Sequence, residues 1–319
     1  MRFPLADWID AHEAVRHHLG SSGMQGTVRH PLPSAADVRS ATERELRERL
    51  ATLVGVAATR LFLTHGATEA NALAVEYIAR RSRTNRPGAR ICLPEYPPLV
   101  DAARDAGFHV RVAGAPVDLA IVSQPRNPVG ERWDPDRLLE WAAGARHTVV
   151  DETFREFSTA PSLQRLGAPG LWTTGSFTKA YGADDLRVGY VVAPEPERER
   201  FARFHGLVTD ELPPYSVAGA LVTLAARDRI LREVRAIVGR NQALWRAAVP
   251  KSPPLAAPVA FDDPVPLGGD RLARQCLRAS VLVCPGRFFG RASGVRVGLT
   301  RRSFPTDLRA YLAVRDGPA

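Results

Sequence analysis

The chain has 319 residues, a formal net charge of +9 at pH 7, and 45% hydrophobic and 24% charged residues. This composition is typical of a globular protein with one large domain or two smaller ones. The sequence contains no apolar run of about 18 residues, the length needed to span a membrane. The first residues lack the apolar core of a signal peptide, and the three cysteines form no Cys-x-x-Cys pattern. We therefore expect a cytoplasmic protein with no disulfides, no zinc site and no membrane association.

Arginine supplies nearly all of the positive charge, because Lys179 and Lys251 are the only lysines. The densest basic stretch, residues 80–86, contains no aromatic side chains. Clustered basic charge can bind nucleic acid, and such binding would weaken steeply as the salt concentration rises. We interpret the stretch instead as a solvated helix end, so nucleic acid is not an expected partner.

Apolar periodicity and turn residues predict alternating helices and strands. Helices are predicted over residues 11–19, 34 or 37–53, 68–80, 98–106, 135–143, 195–204 and 216–248. Strands are predicted over residues 61–64, 90–93, 108–112, 118–123, 147–151, 170–174, 188–192, 281–284 and 294–299. Asp37 is a candidate helix N-cap, residues 20–26 are predicted to form a flexible loop, and residues 255–319 a smaller α+β unit.

Lys179 lies in a stretch of small and polar residues, 175–182, between two apolar strand-like runs. A lone ammonium group buried between strands is energetically costly, so a lysine at this place needs a chemical reason. An imine bond to an aldehyde cofactor would be such a reason. Arg187 follows eight residues later, at the start of the sequence Arg-Val-Gly-Tyr. This stretch is the first candidate for a reactive site.

Three further motifs lie where predicted strands end. Residues 65–68, His-Gly-Ala-Thr, join a strand to a helix, and the free backbone N–H groups at a helix N-terminus can bind an anion. Asn127 lies in an Asn-Pro-x-Gly turn, and Asp151 ends an apolar strand. Open α/β sheets bind ligands at this edge. Each motif by itself also fits an ordinary turn or helix cap.

In their order along the chain, these motifs resemble those of the class I/II aminotransferases of pyridoxal-phosphate fold type I. The chain resembles the histidinol-phosphate aminotransferase and threonine-phosphate decarboxylase branches, and the resemblance covers roughly residues 36–310. It implies pyridoxal 5'-phosphate as the cofactor, bound to Lys179 as a Schiff base, with Asp151 holding a proton on the pyridine nitrogen.

The resemblance also implies the remaining contacts of the cofactor and the substrate. Tyr96 would stack on the pyridine ring, and Asn127 would donate to its phenolic oxygen. Arg296, together with Asn127, would bind the substrate; Arg296 would pair with its α-carboxylate, and Arg287, Arg291 and Arg301 are competing candidates for this role. The residues implied for the cofactor phosphate are Gly66, Ala67, Thr68, Ser176 and Arg187.

The fold implied is α/β, with a three-layer α/β/α large domain that contains a mostly parallel sheet. This pyridoxal-phosphate-binding domain would span residues 36–215. Residues 216–319 would form an interdomain helix and a small α+β domain, and residues 1–35 an N-terminal segment near the active site. Sites of this fold form between subunits, so the resemblance implies a homodimer.

The activity implied is an aminotransferase that converts an α-amino acid to a keto acid. One departure is Phe154, which stands where the family has a tyrosine whose hydroxyl donates to the phenolic oxygen. Decarboxylation, elimination or oxidation on the same fold is an alternative, as is a non-enzymatic sensor or scaffold. The joint presence of Lys179, Asp151, Asn127 and Arg187 favours an enzyme. The sequence does not predict the substrate side chain.

Overall fold

Helices and strands alternate along the described part of the chain, which in this computed structural model comprises residues 3–111 and 116–317. The helices are α1 Pro4–Ala11, α2 Ala35–Ser40, α3 Glu43–Val54, α4 Ala67–Arg80, α5 Pro97–Asp105, α6 Pro135–Ala142, α7 Arg198–Val208, α8 Pro214–Ala225, α9 Arg227–Ala248, α10 Gly269–Arg278 and α11 Phe304–Arg315. The strands are β1 His17–His18, β2 Leu61–Thr64, β3 Gly88–Ile91, β4 His109–Arg111, β5 Val117–Ser123, β6 Ala145–Asp151, β7 Leu171–Ser176, β8 Gly189–Val192, β9 Val259–Asp262, β10 Val281–Leu282, β11 Cys284–Pro285 and β12 Val295–Gly298. Within these described ranges, no helix is both long and apolar enough to cross a membrane.

Seven strands form the main sheet, in the order β2-β8-β7-β6-β5-β3-β4. The five strands from β7 to β4 pair in parallel, whereas β8 runs antiparallel to β7 and β2. Parallel neighbours need crossover connections, and α5 and α6 lie in two of them. The predicted α/β class with a mostly parallel sheet is confirmed. The strand predicted over 108–112 is β4, although Val112 lies outside the described residues.

Helices cover both faces of the main sheet because its central strands are apolar on both sides. Ile121 and Val149 pack in a cluster with side chains of α4, α5 and α7. The next residue in each strand, Val122 or Val150, packs on the other face with Leu138 of α6. Successive side chains of a strand point to opposite faces, so a continuous apolar run buries both faces. The predicted three-layer arrangement is therefore confirmed.

A second sheet near the C-terminus has three antiparallel strands in the order β11-β12-β9. Side chains of α10 and α11 pack with it in one apolar cluster, which gives this unit the predicted α+β character. The strand register places Arg296 of β12 opposite Cys284 and Phe261. The strand predicted over 281–284 is divided, because β10 ends at Leu282 and β11 begins at Cys284.

The N-terminal segment differs from the helix predicted over residues 11–19, and this prediction was wrong. α1 begins earlier, with Pro4 in its first turn, and ends at Ala11. His17 and His18 then form β1, which pairs in parallel with β10 from the far end of the sequence. A partner so distant in the chain leaves no local pattern from which the strand could be predicted.

Two predicted helices are each divided in two. The helix predicted to end at residue 53 is interrupted at Ala41, which has an extended backbone, and the Thr42 side chain caps the start of α3. Ser34 is the N-cap of α2, and Asp37 completes a capping box with it from the third helical position. The helix predicted over 216–248 is divided at Ala226 into α8 and α9.

Candidate active site

A cavity of about 250 Å³ opens at the edge of the main sheet where the parallel strands end. The strand register places Ser123, the last residue of β5, opposite Asp151, the last residue of β6. Ligands bind at this edge in open α/β sheets. The predicted site residues on the cavity wall are Ala67, Thr68, Tyr96, Asn127, Asp151, Lys179 and Arg187, and they are joined there by Ser22, Asn71, Ser123, Thr153, Phe154 and Asp184.

The carboxylate of Asp151 is fixed by two hydrogen bonds at the floor of the cavity. Asn71 Nδ2 donates to it at 2.9 Å, and the backbone N–H of Thr153 donates at 2.8 Å. The Thr174 hydroxyl in turn donates to Asn71 Oδ1 at 2.6 Å. Burial raises the pKa of Asp151, while the bonds from Thr153 and Asn71 oppose this shift. A carboxylate oriented in this way is suited to binding a cationic N–H group.

Lys179 reaches the cavity from the turn that follows β7. Burial lowers the pKa of its amine, and the nearby Asp184 carboxylate opposes this effect. A lower pKa leaves more of the amine in the neutral form, which is the nucleophile. The Met24 N–H donates to the Lys179 carbonyl at 2.9 Å, and Gln25 Nε2 donates to the Thr178 carbonyl at 2.6 Å. The N-terminal loop therefore packs against the lysine turn.

One end of the cavity combines a helix N-terminus with a guanidinium group. Gly66 precedes α4 with a φ of 90°, and a side chain placed on it would approach the Arg187 guanidinium at 3.1 Å. A side chain on Gly189 would overlap the backbone of Gly66, so the chain approaches itself closely at this turn. Arg187 is half-exposed and pairs with Asp184 at 2.8 Å. A helix N-terminus beside an arginine is suited to binding a phosphate group.

Asn127 and Arg296 are joined by a hydrogen bond behind the cavity wall. Arg296 is 2% exposed; its Nη1 donates to Asn127 Oδ1 at 3.2 Å and its Nη2 to the Gly20 carbonyl at 2.8 Å. Because Asn127 Oδ1 accepts this bond, the amide NH2 group is left to donate to a ligand in the cavity. Arg296 thus contacts the site through Asn127 rather than from the cavity wall.

Two predicted cofactor ligands differ in their access to the cavity. Tyr96 lies on the wall, directly before α5. Ser176 ends β7, but its hydroxyl bonds to that of Thr178 at 2.8 Å, and Thr178 is the residue on the wall. The specific roles assigned to the predicted site residues stay predictions.

Several polar residues of the site were missed by sequence reasoning. Asn71 lies one turn into α4, and Thr153 lies two residues after Asp151. Helical and strand spacing from the predicted residues could have pointed to both. Glu95 and Ser123 gave no such signal, because their contact depends on how the loop after β3 packs against β5.

Glu95 is a fully buried carboxyl group next to the cavity. It accepts hydrogen bonds from the Ser123 hydroxyl at 2.5 Å, from the Ser123 N–H at 3.0 Å and from the Tyr96 N–H at 2.7 Å. Burial raises the pKa of Glu95 to about 7, although the Arg126 charge and these hydrogen bonds oppose the shift. The folded protein therefore holds a proton on Glu95 more tightly than the unfolded chain does.

This raised pKa predicts a pH dependence of stability that the Glu95→Gln variant lacks. Because the folded state binds the proton more tightly, the free energy of unfolding should decrease as the pH rises from 4.5, the ordinary glutamate value, to about 7, and then level off. Each unit of pKa shift corresponds to about 1.4 kcal/mol. Urea unfolding of both proteins across this range measures the difference. A constant difference between wild type and variant would contradict the expectation.

The groups around the cavity fit the predicted cofactor. An amine, a fixed carboxylate and a helix N-terminus with a guanidinium line one cavity, and these match an aldehyde, a pyridine nitrogen and a phosphate in chemical type. The glycine cradle supports the same assignment, because a side chain on Gly66 would crowd the arginine at the anion end.

Comparison with known proteins finds relatives of modest sequence identity, which match between about half and all of the chain. The chain is 30% identical over 207 residues to capreomycidine synthase of Streptomyces vinaceus, covering 57% of this chain and 51% of that enzyme. It is 28% identical over 309 residues to histidinol-phosphate aminotransferase of Symbiobacterium thermophilum, covering 85% and 81%. A pyridoxal-phosphate-dependent aminotransferase from Streptococcus suis shares the fold, with a TM-score of 0.77 at 19% identity, covering 100% and 99%.

The family model for aminotransferase class I and II matches residues 38–303, which is most of the chain. This span contains the glycine turn, the Asn-Pro-x-Gly turn, the strand-end aspartate, the lysine turn and Arg296. The chain therefore belongs to the aminotransferase class I and II family of pyridoxal-phosphate-dependent enzymes.

Proposed function

We propose that the chain is an aminotransferase that acts on an α-amino acid and yields a keto acid. The observation that carries the proposal is the convergence of Lys179, Asp151, Asn127 and Arg187 on one cavity. These residues come from separate segments of the chain, and a scaffold without chemistry has no need for an amine, a carboxylate, an amide and a guanidinium at one point. We assign the enzyme to amino acid metabolism, as a biosynthetic enzyme of the cytoplasm.

Pyridoxal phosphate supplies, when bound, an aldehyde that condenses with amines and a pyridine ring that accepts electrons. The Nζ of Lys179 is the amine that would hold this aldehyde. The same nitrogen would be placed to remove a proton from the substrate Cα as a general base and to donate a proton as a general acid. Burial supports this role, because the lowered pKa of Lys179 favours the neutral amine that can accept a proton.

Asp151 would hold a proton at the pyridine nitrogen, and its hydrogen bonds from Asn71 and Thr153 keep its carboxylate in place. Asn127 would donate to the phenolic oxygen and, with Arg296, would orient the substrate α-carboxylate, which helps to select the bond to Cα that breaks. Tyr96 would stack on the ring. The residues that would hold the phosphate are Gly66, Ala67, Thr68, Ser176 and Arg187.

We also propose that the protein is a homodimer. Each subunit would consist of an N-terminal segment over residues 1–35, a cofactor-binding domain over residues 36–215, and an interdomain helix with a small domain over residues 216–319. Leu207 and Val208 at the end of α7 are 86% and 56% exposed. Val208 lines a surface groove that shares Thr68 with the cavity wall. Exposed apolar patches mark interaction sites, and a patch at this place would bring a second copy beside the cofactor. Sedimentation equilibrium should give twice the mass of the chain, and a monomer at micromolar concentration would contradict this part.

The activity is tested by adding amino acids in turn to the protein loaded with pyridoxal phosphate. With its substrate, the absorption band of the bound cofactor should bleach to that of the aminated cofactor, and a keto acid should restore it. The wild type is compared with Lys179→Ala. A band that persists while carbon dioxide, ammonia or peroxide is released would exclude transamination.

Phe154 is the observation that favours a second candidate, a decarboxylase, lyase or oxidase on the same fold. It lies on the cavity wall at 4% exposure, so no hydroxyl reaches the phenolic oxygen from this position. One similar protein, 27% identical over 245 residues, is named threonine-phosphate decarboxylase, and decarboxylation is a reaction other than transamination. A change in the charge of the phenolic oxygen alters how electrons leave Cα, and this can redirect the reaction.

Phe154→Tyr should lower the pH midpoint at which the absorption band of the bound cofactor changes. The added hydroxyl would stabilise the phenolate by a hydrogen bond, so Nζ of Lys179, bonded to the cofactor, would hold its proton less tightly. We expect a shift of about half to one pH unit. Absorbance titration measures it, and Phe157→Tyr is the control, because Phe157 is also buried but is not on the cavity wall. An unchanged or higher midpoint in Phe154→Tyr would contradict the account.

A further inference from the structure

Glu95 connects two parts of the site that are far apart in sequence. Its side chain bonds to Ser123 at the end of β5, and it also accepts the N–H of Tyr96, the residue that follows it. Its own N–H donates to the Phe289 carbonyl at 3.1 Å. The carboxylate therefore fixes the loop that carries Tyr96 against the strand end that precedes the Asn127 turn.

The hydroxyl of Ser123 connects Glu95 to Asn127 by hydrogen bonds. A serine hydroxyl has one proton to donate, and its donation to Glu95 at 2.5 Å leaves the oxygen free to accept. It accepts the backbone N–H of Asn127 at 2.8 Å. The side-chain Oδ1 of Asn127 accepts from Arg296. Hydrogen bonds thus link Glu95 to Ser123, Ser123 to the backbone of Asn127, and the side chain of Asn127 to Arg296.

In its ionised form, the Glu95 carboxyl group accepts these hydrogen bonds at both of its oxygens. Oε1 accepts from the Tyr96 N–H and the Ser123 hydroxyl, and Oε2 accepts from the Ser123 N–H. Glutamine offers one acceptor and one NH2 group, so either orientation of its amide points donors at a buried backbone N–H. A buried donor without an acceptor is costly, and the loop must shift to relieve it.

We propose that Glu95 and Ser123 are positioning residues, which hold Tyr96 and Asn127 in the places where they contact the cofactor and, through Asn127, support Arg296 at the substrate carboxylate. The inference rests on the proposed function, because it assigns those contacts to the three residues. Arg126 completes the surroundings: its guanidinium donates to the Cys92 and Pro94 carbonyls at 2.6 and 2.8 Å and fixes the same loop from its other side.

The test compares Glu95→Gln, Ser123→Ala and the double variant, each loaded with pyridoxal phosphate. The pH midpoint of the cofactor band should rise by roughly half a unit or more, because a displaced Asn127 donates less well to the phenolic oxygen. KM for the amino acid should rise by about fivefold, since Arg296 loses its support. The double variant should match the larger single effect, because residues in one network are not additive.

Two controls separate positioning from a loss of stability. Ser123→Thr keeps the hydroxyl and should restore the wild-type midpoint. Asp307→Asn and Ser303→Ala disturb another buried carboxylate and the hydroxyl that donates to it at 2.7 Å, remote from the cofactor cavity, and should leave the midpoint unchanged. If Glu95→Gln does not fold, the pair Ser123→Ala and Ser123→Thr decides.

The experiment distinguishes a failure of this inference from a failure of the proposed function. A wild-type midpoint and KM in Ser123→Ala would overturn the inference, as would equal shifts in the Asp307 and Ser303 controls. If wild type shows no cofactor band that depends on Lys179, the proposed function fails instead, and the two failures are therefore distinguishable.

Discussion

Asp151→Asn is expected to lower kcat by about 10²- to 10³-fold, the range found when a preorganised charged or polar group is removed from an active site. The asparagine keeps the shape of the side chain and can still accept from Asn71 or from the Thr153 N–H. It cannot hold a proton on the pyridine nitrogen as a charged partner, so the ring accepts electrons less well. Steady-state kinetics with the amino acid found in the spectral survey measures kcat.

The control for this variant is Asp118→Asn, which changes a carboxylate near the opposite end of β5. Asp118 accepts from the Ser82 hydroxyl at 3.0 Å and the Gly88 N–H at 3.2 Å, outside the cavity. We expect kcat within about twofold of wild type for the control. An equally small change in Asp151→Asn, with the cofactor still bound, would contradict the role assigned to Asp151.

Trp172→Ala is expected to lower the free energy of unfolding by about 3–5 kcal/mol, the usual cost of truncating a buried aromatic side chain. Trp172 is 0% exposed in β7, and its ring centroid lies 5.0 Å from that of Phe201 and 5.5 Å from that of Tyr77. These rings join α4 and α7 to the strand that leads into the lysine turn. The lost contacts leave a cavity between helices and sheet, which the surrounding elements fill only in part.

Urea unfolding at fixed protein concentration measures this loss, because association would otherwise change the apparent stability. Leu139→Ala in α6 is the control, since Leu139 is 39% exposed and should cost less than about 1 kcal/mol. A loss below 1 kcal/mol in Trp172→Ala as well would mean that the sheet and its helices do not depend on this cluster.

The chemistry of the site was more predictable from the sequence than its supporting structure. Asp151 ends β6 and Lys179 follows β7 by three residues, so the sheet edge that carries them could be inferred from local patterns. The orientation of Asp151 could not, because Asn71 reaches it from a helix packed on the sheet. The hydrogen bond of Glu95 to Ser123 depends in the same way on contacts between distant segments.

The elements that were predicted wrongly also depend on contacts between distant segments of the chain. His17 and His18 pair with β10 from the far end of the sequence, and a strand of two residues is too short to show an alternating pattern. The break at Ala226 separates α8 and α9 without a glycine or proline at the junction. Helix propensity continues through such a junction, so only packing against the rest of the protein ends the first helix there.

The central claim is that Lys179 bonds to pyridoxal phosphate, and the chain offers a matched control because Lys251 is its other lysine. Wild type, Lys179→Ala and Lys251→Ala are incubated with pyridoxal phosphate, reduced with borohydride and mapped by peptide mass spectrometry. We expect the reduced cofactor on Lys179 in wild type and in Lys251→Ala, and neither a label nor a yellow band in Lys179→Ala. A label on Lys251 alone, or a band that survives in Lys179→Ala, would contradict the account.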